Sequence, residues 1–167
     1  MLSPISRLGA QLAVLAALSA CGWQLRGSGS ALGESYEQKI GELAIVSEDR
    51  SNAFFTSLRR VLELNRVKEN DNADLVLLFK NEKLERHPLA YSSTGIPSQY
   101  ELTMSIEFEV RKKNGEHVLV PRNIISHRNY DFDAELIIAK DREEQELLEE
   151  MRRELAYQML HSIASGI

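Results

Sequence analysis

Leu102, Met104, Ile106, Phe108 and Val110 alternate with Thr103, Ser105, Glu107, Glu109 and Arg111. Side chains along a strand point to opposite faces with a period of two, so this segment predicts a strand with one face on a core and the other in water or against a hydrophilic partner. Just beyond it, Asn114-Gly115 supplies the positive φ angles of a tight hairpin turn. A further strand should therefore return antiparallel between His117 and Tyr130. Pro121 cannot donate a ladder hydrogen bond, which marks a bulge, an edge position or a late start to regular pairing.

The segments before this hairpin read as strand, helix, strand. Leu43 to Val46 is short, apolar and followed by the polar run Ser47 to Ser51, as a buried strand leading into a loop would be. Phe54, Leu58, Val61 and Leu62 then recur at helical spacing, with Ser51 or Asn52 available as N-cap and Asn65 able to take a left-handed conformation at the end. Ala73 to Phe79 is a second apolar run of strand length. At the carboxy end, Leu148, Met151, Leu155, Met159 and Ile163 form one stripe widened by Leu147, Ala156 and Leu160, which predicts a helix over 141–164. Asp141 followed three residues later by Glu144 resembles a capping box. Such a stripe could serve a partner or a membrane, but a helix that ends a small domain normally closes its core. The order β-α-β-β-β-α gives an α+β fold, a two-layer sandwich of a four-stranded mixed sheet with two helices on one face.

The first 26 residues predict where the chain goes. Arg7, the apolar run Leu8 to Leu18 and Leu18-Ser19-Ala20-Cys21 have the form of a lipoprotein signal ending on a lipobox. The run is about a dozen residues, short of the roughly 20 a spanning helix needs. Cys21 is the only cysteine, so no intramolecular disulfide is available, and a thiol directly after an export signal is an acylation point. Several acyl chains at about 0.8 kcal/mol per buried methylene hold a protein firmly, where one chain would not. Gly22 follows, rather than the Asp that would favour inner-membrane retention, and this points to the outer membrane. Gly27-Ser28-Gly29-Ser30-Ala31-Leu32-Gly33 has the composition of a flexible linker. The expected division is a signal peptide over 1–20, an acylated cysteine and tether over 21–39, and one α+β domain over 40–167.

Net charge is −5, and Arg7 is the only charged side chain that removal of residues 1–20 would take away. An acidic chain opposes unselective binding to nucleic acid, which draws on dense Lys/Arg neutralisation, so any anionic ligand must be met by a local cluster. Nothing in the sequence proposes a reaction or a cofactor. There is no Gly-x-Ser-x-Gly elbow and no phosphate-cradling loop, and His87, His117, His127 and His161 lack paired zinc-ligand spacing. Glu107 and Glu109 face the same way on one strand and read as a solvated face, not an acid/base pair.

Four stretches together resemble the lipopolysaccharide-assembly lipoproteins of the LptE family. They are Cys21-Gly22-Trp23-Gln24-Leu25-Arg26-Gly27, Phe55 to Val67 with its Leu-Asn-Arg-Val ending, Gln99-Tyr100-Glu101-Leu102, and Ile138-Ala139-Lys140-Asp141. The resemblance implies a non-enzymatic lipoprotein of the outer membrane that assists assembly of the β-barrel LptD, plugs its lumen from the periplasmic side and binds lipopolysaccharide. It aligns Lys140 with a basic position that the family uses for lipopolysaccharide. The family's other basic position, aligned through Tyr100, falls on Ser93, and Arg86 or His87 from the same predicted loop are the available substitutes. Phosphates of the lipid A and core region need compact cations or guanidinium forks, which suits these residues. The competing readings are a chaperone-like lipoprotein, which needs a broad exposed apolar groove, and a lipid carrier, which needs a deep cavity between sheet and helix.

Overall fold

A computed structural model describes residues 35–167, and Cys21 with the predicted signal and most of the tether lies outside them. Regular structure begins upstream of the expected boundary, with α1 (Tyr36–Ile40). Ser35 caps it: its hydroxyl accepts from the Gln38 amide at 3.3 Å, while the Gln38 side chain accepts from the Ser35 amide at 3.0 Å. Gly41, at φ +63, ends the helix and turns the chain into β1 (Glu42–Ser47).

The helix α2 (Ala53–Leu64) starts on Asn52, whose side chain accepts from the Phe55 amide at 2.6 Å. It buries Phe54, Phe55, Leu58, Val61 and Leu62. At its end the left-handed residue is Arg66 (φ 59), not Asn65, which stays at φ −100 and uses its amide to donate to the Val61 carbonyl at 2.7 Å. The strands β2 (Lys68–Glu69) and β3 (Leu75–Phe79) both lie parallel to β1, with α2 as the crossover that parallel pairing requires.

Three antiparallel strands complete the sheet: β4 (Lys83–Tyr91), β5 (Pro97–Lys112) and β6 (His117–Asp131). The four-stranded expectation is therefore corrected to six strands, because the charged segment around Arg86 is a strand and two residues at Lys68 pair with β1. The sheet is mixed, as expected. Its spine is β5. On one edge it pairs with β6 along almost its whole length. On the other edge it pairs first with β4, up to Ser105, and then with β3, from Phe108. The Lys80 amide, donating to the Glu107 carbonyl at 3.0 Å, bridges the gap between them. So β3 and β4 run in tandem along one side of β5, and β4, β5 and β6 project as a three-stranded blade.

The turn at Asn114-Gly115 has positive φ at Gly115 alone, with the Asn114 side chain accepting from the Glu116 amide at 3.0 Å. Phe108 pairs with Arg122 and Val110 with Leu119, so two residues, Val120 and Pro121, stand opposite Glu109. Pro121 thus sits in a bulge, where its missing amide costs no ladder bond.

A 3-10 turn (Ala134–Leu136), capped by the Asp133 side chain, leads into α3 (Ile137–Gly166). The helix begins four residues before the expected start, so Asp141 lies inside it and the predicted Asp141/Glu144 capping box does not form. Its inward stripe is as predicted: Leu148, Met151, Leu155, Ala156, Met159, Leu160 and Ile163 are buried, and Leu147 is half-buried. They form one core with α2 and with Leu102, Met104, Ile106, Phe108 and Val110 of β5. A polar clasp also ties β6 to α3, in which Arg128 reaches Glu154 at 2.7 Å and Glu150 at 3.0 Å, and buried Ser126 donates to Glu154 at 2.8 Å. Burial opposes ionisation of Glu154, but the donors Ser126 and Arg128 outweigh it and hold its carboxyl below the usual value.

Candidate ligand site at the start of the last helix

The inner face of the blade carries Arg86, Tyr100 and Tyr130. Antiparallel register sets Arg86 opposite Leu102, and Tyr100 opposite Tyr130, so all of them point to the same side. The two tyrosine rings stack with centroids 5.8 Å apart, and Phe132 meets Tyr100 edge-on at 5.4 Å. The Arg86 guanidinium lies 3.9 Å from the Tyr100 ring centroid, and 5.7 and 5.8 Å from those of Tyr130 and Phe132. Ring faces are electron-rich, so three of them hold a cation well.

A carboxylate from α3 closes this cage. Glu144 accepts from Arg86 at 3.2 Å and, on the same oxygen, from the Tyr130 hydroxyl. Burial, then the bond to Glu144, pushes the Tyr130 phenol well above its ordinary value, so it stays protonated and serves as a donor. One helical turn before Glu144 on the same face is Lys140, whose ammonium lies 2.8 Å from Glu143. The structure therefore brings Arg86 and Lys140 to the same end of α3, each already matched to a carboxylate. Lys140 is in the first turn of the helix, not in front of it.

The remaining expected residues are dispersed. His87 is on the outer face of β4 beside Glu85 at 3.4 Å, and Ser93 is in the turn at the blade tip. Arg86 and His87 are thus strand residues, where the sequence predicted a loop. His117 neighbours Glu109 at 3.4 Å and His127 neighbours Thr103 at 3.0 Å; among the described residues no group of three or more His, Cys, Asp or Glu side chains is arranged to hold a metal. Glu107 and Glu109 are engaged by Lys80 at 2.8 Å and Arg111 at 2.6 Å. Sequence reading missed Tyr130, Phe132 and Glu144 as site members. The usable signal was Tyr130 and Phe132 recurring two apart at the end of the returning strand.

Around the site the surface is unusually apolar. Leu136, Ile137 and Ile138 are exposed at the entry to α3, the last at 78%, and Leu89, Tyr91 and Ile96 are exposed at the tip of the blade. Between sheet and α3 the space is filled, with Leu102, Met104, Ile106, Met151, Leu155 and Met159 all at 0% exposure. An open cleft of about 920 Å³ lies between α1, the end of α2 and β2; of the cations that line it, Arg59, Arg60, Arg66 and Lys68, two face carboxylates, Arg59 with Glu69 at 3.1 Å and Arg66 with Glu37 at 3.6 Å. Among the described residues, no helix is long and apolar enough to cross a membrane.

Comparison with solved structures agrees with this architecture. Rare lipoprotein B from Shewanella oneidensis is 35% identical, with 74% of this chain and 94% of that one covered at a TM-score of 0.66. A minor lipoprotein from Acinetobacter baumannii (21% identity, 75% and 92% covered, TM-score 0.62) and lipoprotein B from Nitrosomonas europaea (18%, 82% and 91%, TM-score 0.66) share the fold. No curated protein sequence matches. The model of the family described as LptE, lipopolysaccharide-assembly, matches residues 40–163, which is the whole sheet and nearly all of α3. With that match and the relative from Shewanella, the chain belongs to the LptE family of lipopolysaccharide-assembly proteins.

Proposed function

We propose that this chain is an outer-membrane lipoprotein that assists assembly of the β-barrel LptD, occupies its lumen and binds lipopolysaccharide through Lys140, with Arg86 beside it. Family membership over residues 40–163 carries this reading, and the family's role is non-catalytic. The geometry supports it in three ways. The core is filled and stiff, as a plug requires. The outer face of β5 carries the polar side chains Thr103, Ser105, Glu107, Glu109 and Arg111, of which Glu107 is exposed and the others, Glu109 most of all, are half-buried; this polar face suits a water-lined wall. The Lys140 end sets a cation beside exposed aliphatic residues, a combination that matches a phosphorylated, acylated glycolipid. A lipid carrier needs a cavity where the sheet meets α3, and that space is taken by side chains.

Crosslinking in outer membranes tests the partner: one dominant barrel species is expected, and a spread of unrelated membrane proteins would favour a chaperone-like role instead. For the ligand, Lys140→Gln is expected to weaken lipopolysaccharide binding at low ionic strength, with a loss that shrinks as salt screens the wild-type contact. Its melting temperature should hardly move, because an ion pair at the start of a helix contributes little, and co-purification with the barrel should survive. Unchanged binding at low salt would remove Lys140 from the site.

The proposed anchor is Cys21, with residues 1–20 removed on export. Cys21→Ala is expected to abolish fatty-acid labelling of the chain. Persistent labelling of that variant would place the acyl group elsewhere.

A further inference from the structure

The two cations at the start of α3 are held in unlike ways. Arg86, its side chain 38% exposed, lies against three rings and shares the Glu144 oxygen, which is itself on a largely buried side chain, with Tyr130, so withdrawing Glu144 would break both of those contacts at once. Lys140 has an 18%-exposed side chain and is paired with Glu143, whose own side chain is 45% exposed. That carboxylate is the more exposed member of the pair, three residues along the same helix, and among the described residues it makes no other side-chain hydrogen bond or ion pair.

We propose that Glu143 is a built-in competitor for the phosphate site: it occupies Lys140 in the free protein and is displaced when a phosphate group binds, whereas the Glu144–Arg86 contact stays closed in both states. This rests on the reading of Lys140 as a lipopolysaccharide contact and adds what sets its affinity. The chemistry is an exchange of one anion for another. A carboxylate carries one negative charge, and a phosphate monoester carries more charge and more acceptor oxygens, so exchange favours the phosphate while the resident carboxylate lowers the net gain. The arrangement also disfavours weaker anions, which cannot repay the displacement.

The test uses the mature acylated chain in detergent and measures binding of purified lipopolysaccharide, of the same lipopolysaccharide after enzymatic dephosphorylation, and of mixed micelles containing phosphatidylglycerol. Glu143→Gln keeps the side-chain size and removes the competing charge. It is expected to bind lipopolysaccharide about two- to five-fold more tightly than wild type, the range an exposed ion pair can set. The gain should vanish in the Lys140→Gln background and with the dephosphorylated ligand. A gain confined to lipopolysaccharide assigns the phosphate to the glycolipid, and an equal gain with phosphatidylglycerol assigns it to phospholipid headgroups as well; either supports competition. If Glu143→Gln binds no more tightly while Lys140→Gln binds more weakly, the phosphate contact stands and the competition is overturned. A gain that persists without Lys140 also overturns it, since the effect is then one of general charge. Wild-type binding by Lys140→Gln defeats the underlying site and this inference with it.

Discussion

Ile106→Ala and Leu155→Ala should each lower the unfolding free energy by about 2–5 kcal/mol, the range for truncating a buried aliphatic side chain to leave a cavity. Both are at 0% exposure, one at the centre of β5 and the other at the middle of the α3 stripe, within a single hydrophobic cluster. Neither site can collapse readily, because Ile106 is held in β5 by pairing with Ile124 of β6, between the stretches that pair with β4 and β3, and Leu155 sits in a 30-residue helix anchored by the Arg128 clasp. Glu107→Ala is the control. Glu107 points to the other face and is paired with exposed Lys80, so its loss should stay within about 0.5 kcal/mol. Denaturant melts that ranked Glu107 above Ile106 would overturn the assignment of the inner face.

The second large effect is expected at Glu82, in the short link between β3 and β4. Its carboxylate takes a two-pronged contact from Arg152 of α3, with the guanidinium Nε at 2.9 Å and Nη2 at 2.7 Å. The side chains are only 18% and 13% exposed. Glu82→Ala leaves the guanidinium without its partner and should cost up to about 3 kcal/mol, the low end for a buried pair because both groups keep some solvent. Replacing both, Glu82→Leu with Arg152→Met, should recover most of that loss, because the cost comes from an unmatched charge and not from the pair itself. A double-mutant cycle by thermal melting measures this. A double variant as unstable as Glu82→Ala would mean that the pair fixes the link geometrically.

What the sequence disclosed, and what it withheld, follows from how each residue is used. The β5 strand was legible because Leu102 to Val110 puts every second residue into the core without exception. The inward stripe of α3 was equally plain. The strand β4 was not, because its inward position beside Tyr100 is filled by Arg86, a charge that packs against rings and spoils the apolar alternation, and Pro88 argues against a strand. The start of α3 was missed for a related reason: Ile137 and Ile138 are helical but exposed, so the buried stripe does not reach back to them. Asp141 and Glu144 then mimicked a cap by spacing alone, while Glu144 is spent on Arg86 and Tyr130. Of the candidate site, Lys140 and Arg86 came from family resemblance. Their carboxylate partners come from tertiary contact in one case and from helix register in the other, and a linear pattern cannot tell either from an ordinary solvated acid.

The tandem placement of β3 and β4 along one edge of β5 makes two parts of the chain very unequal in their tolerance of length change. One residue added between Phe79 and Lys83 and passed on as a shift of the β4 register would turn every β4 side chain to the opposite face, expelling Arg86 from its rings and drawing Glu85 in. Residues added in matched pairs beside the tip turn, between Tyr91 and Pro97, would only lengthen a hairpin, at about 3.4 Å for each residue per strand, with the core untouched. How far the blade extends is thus a dimension that insertions and deletions can adjust separately from stability, with the packed base left the same.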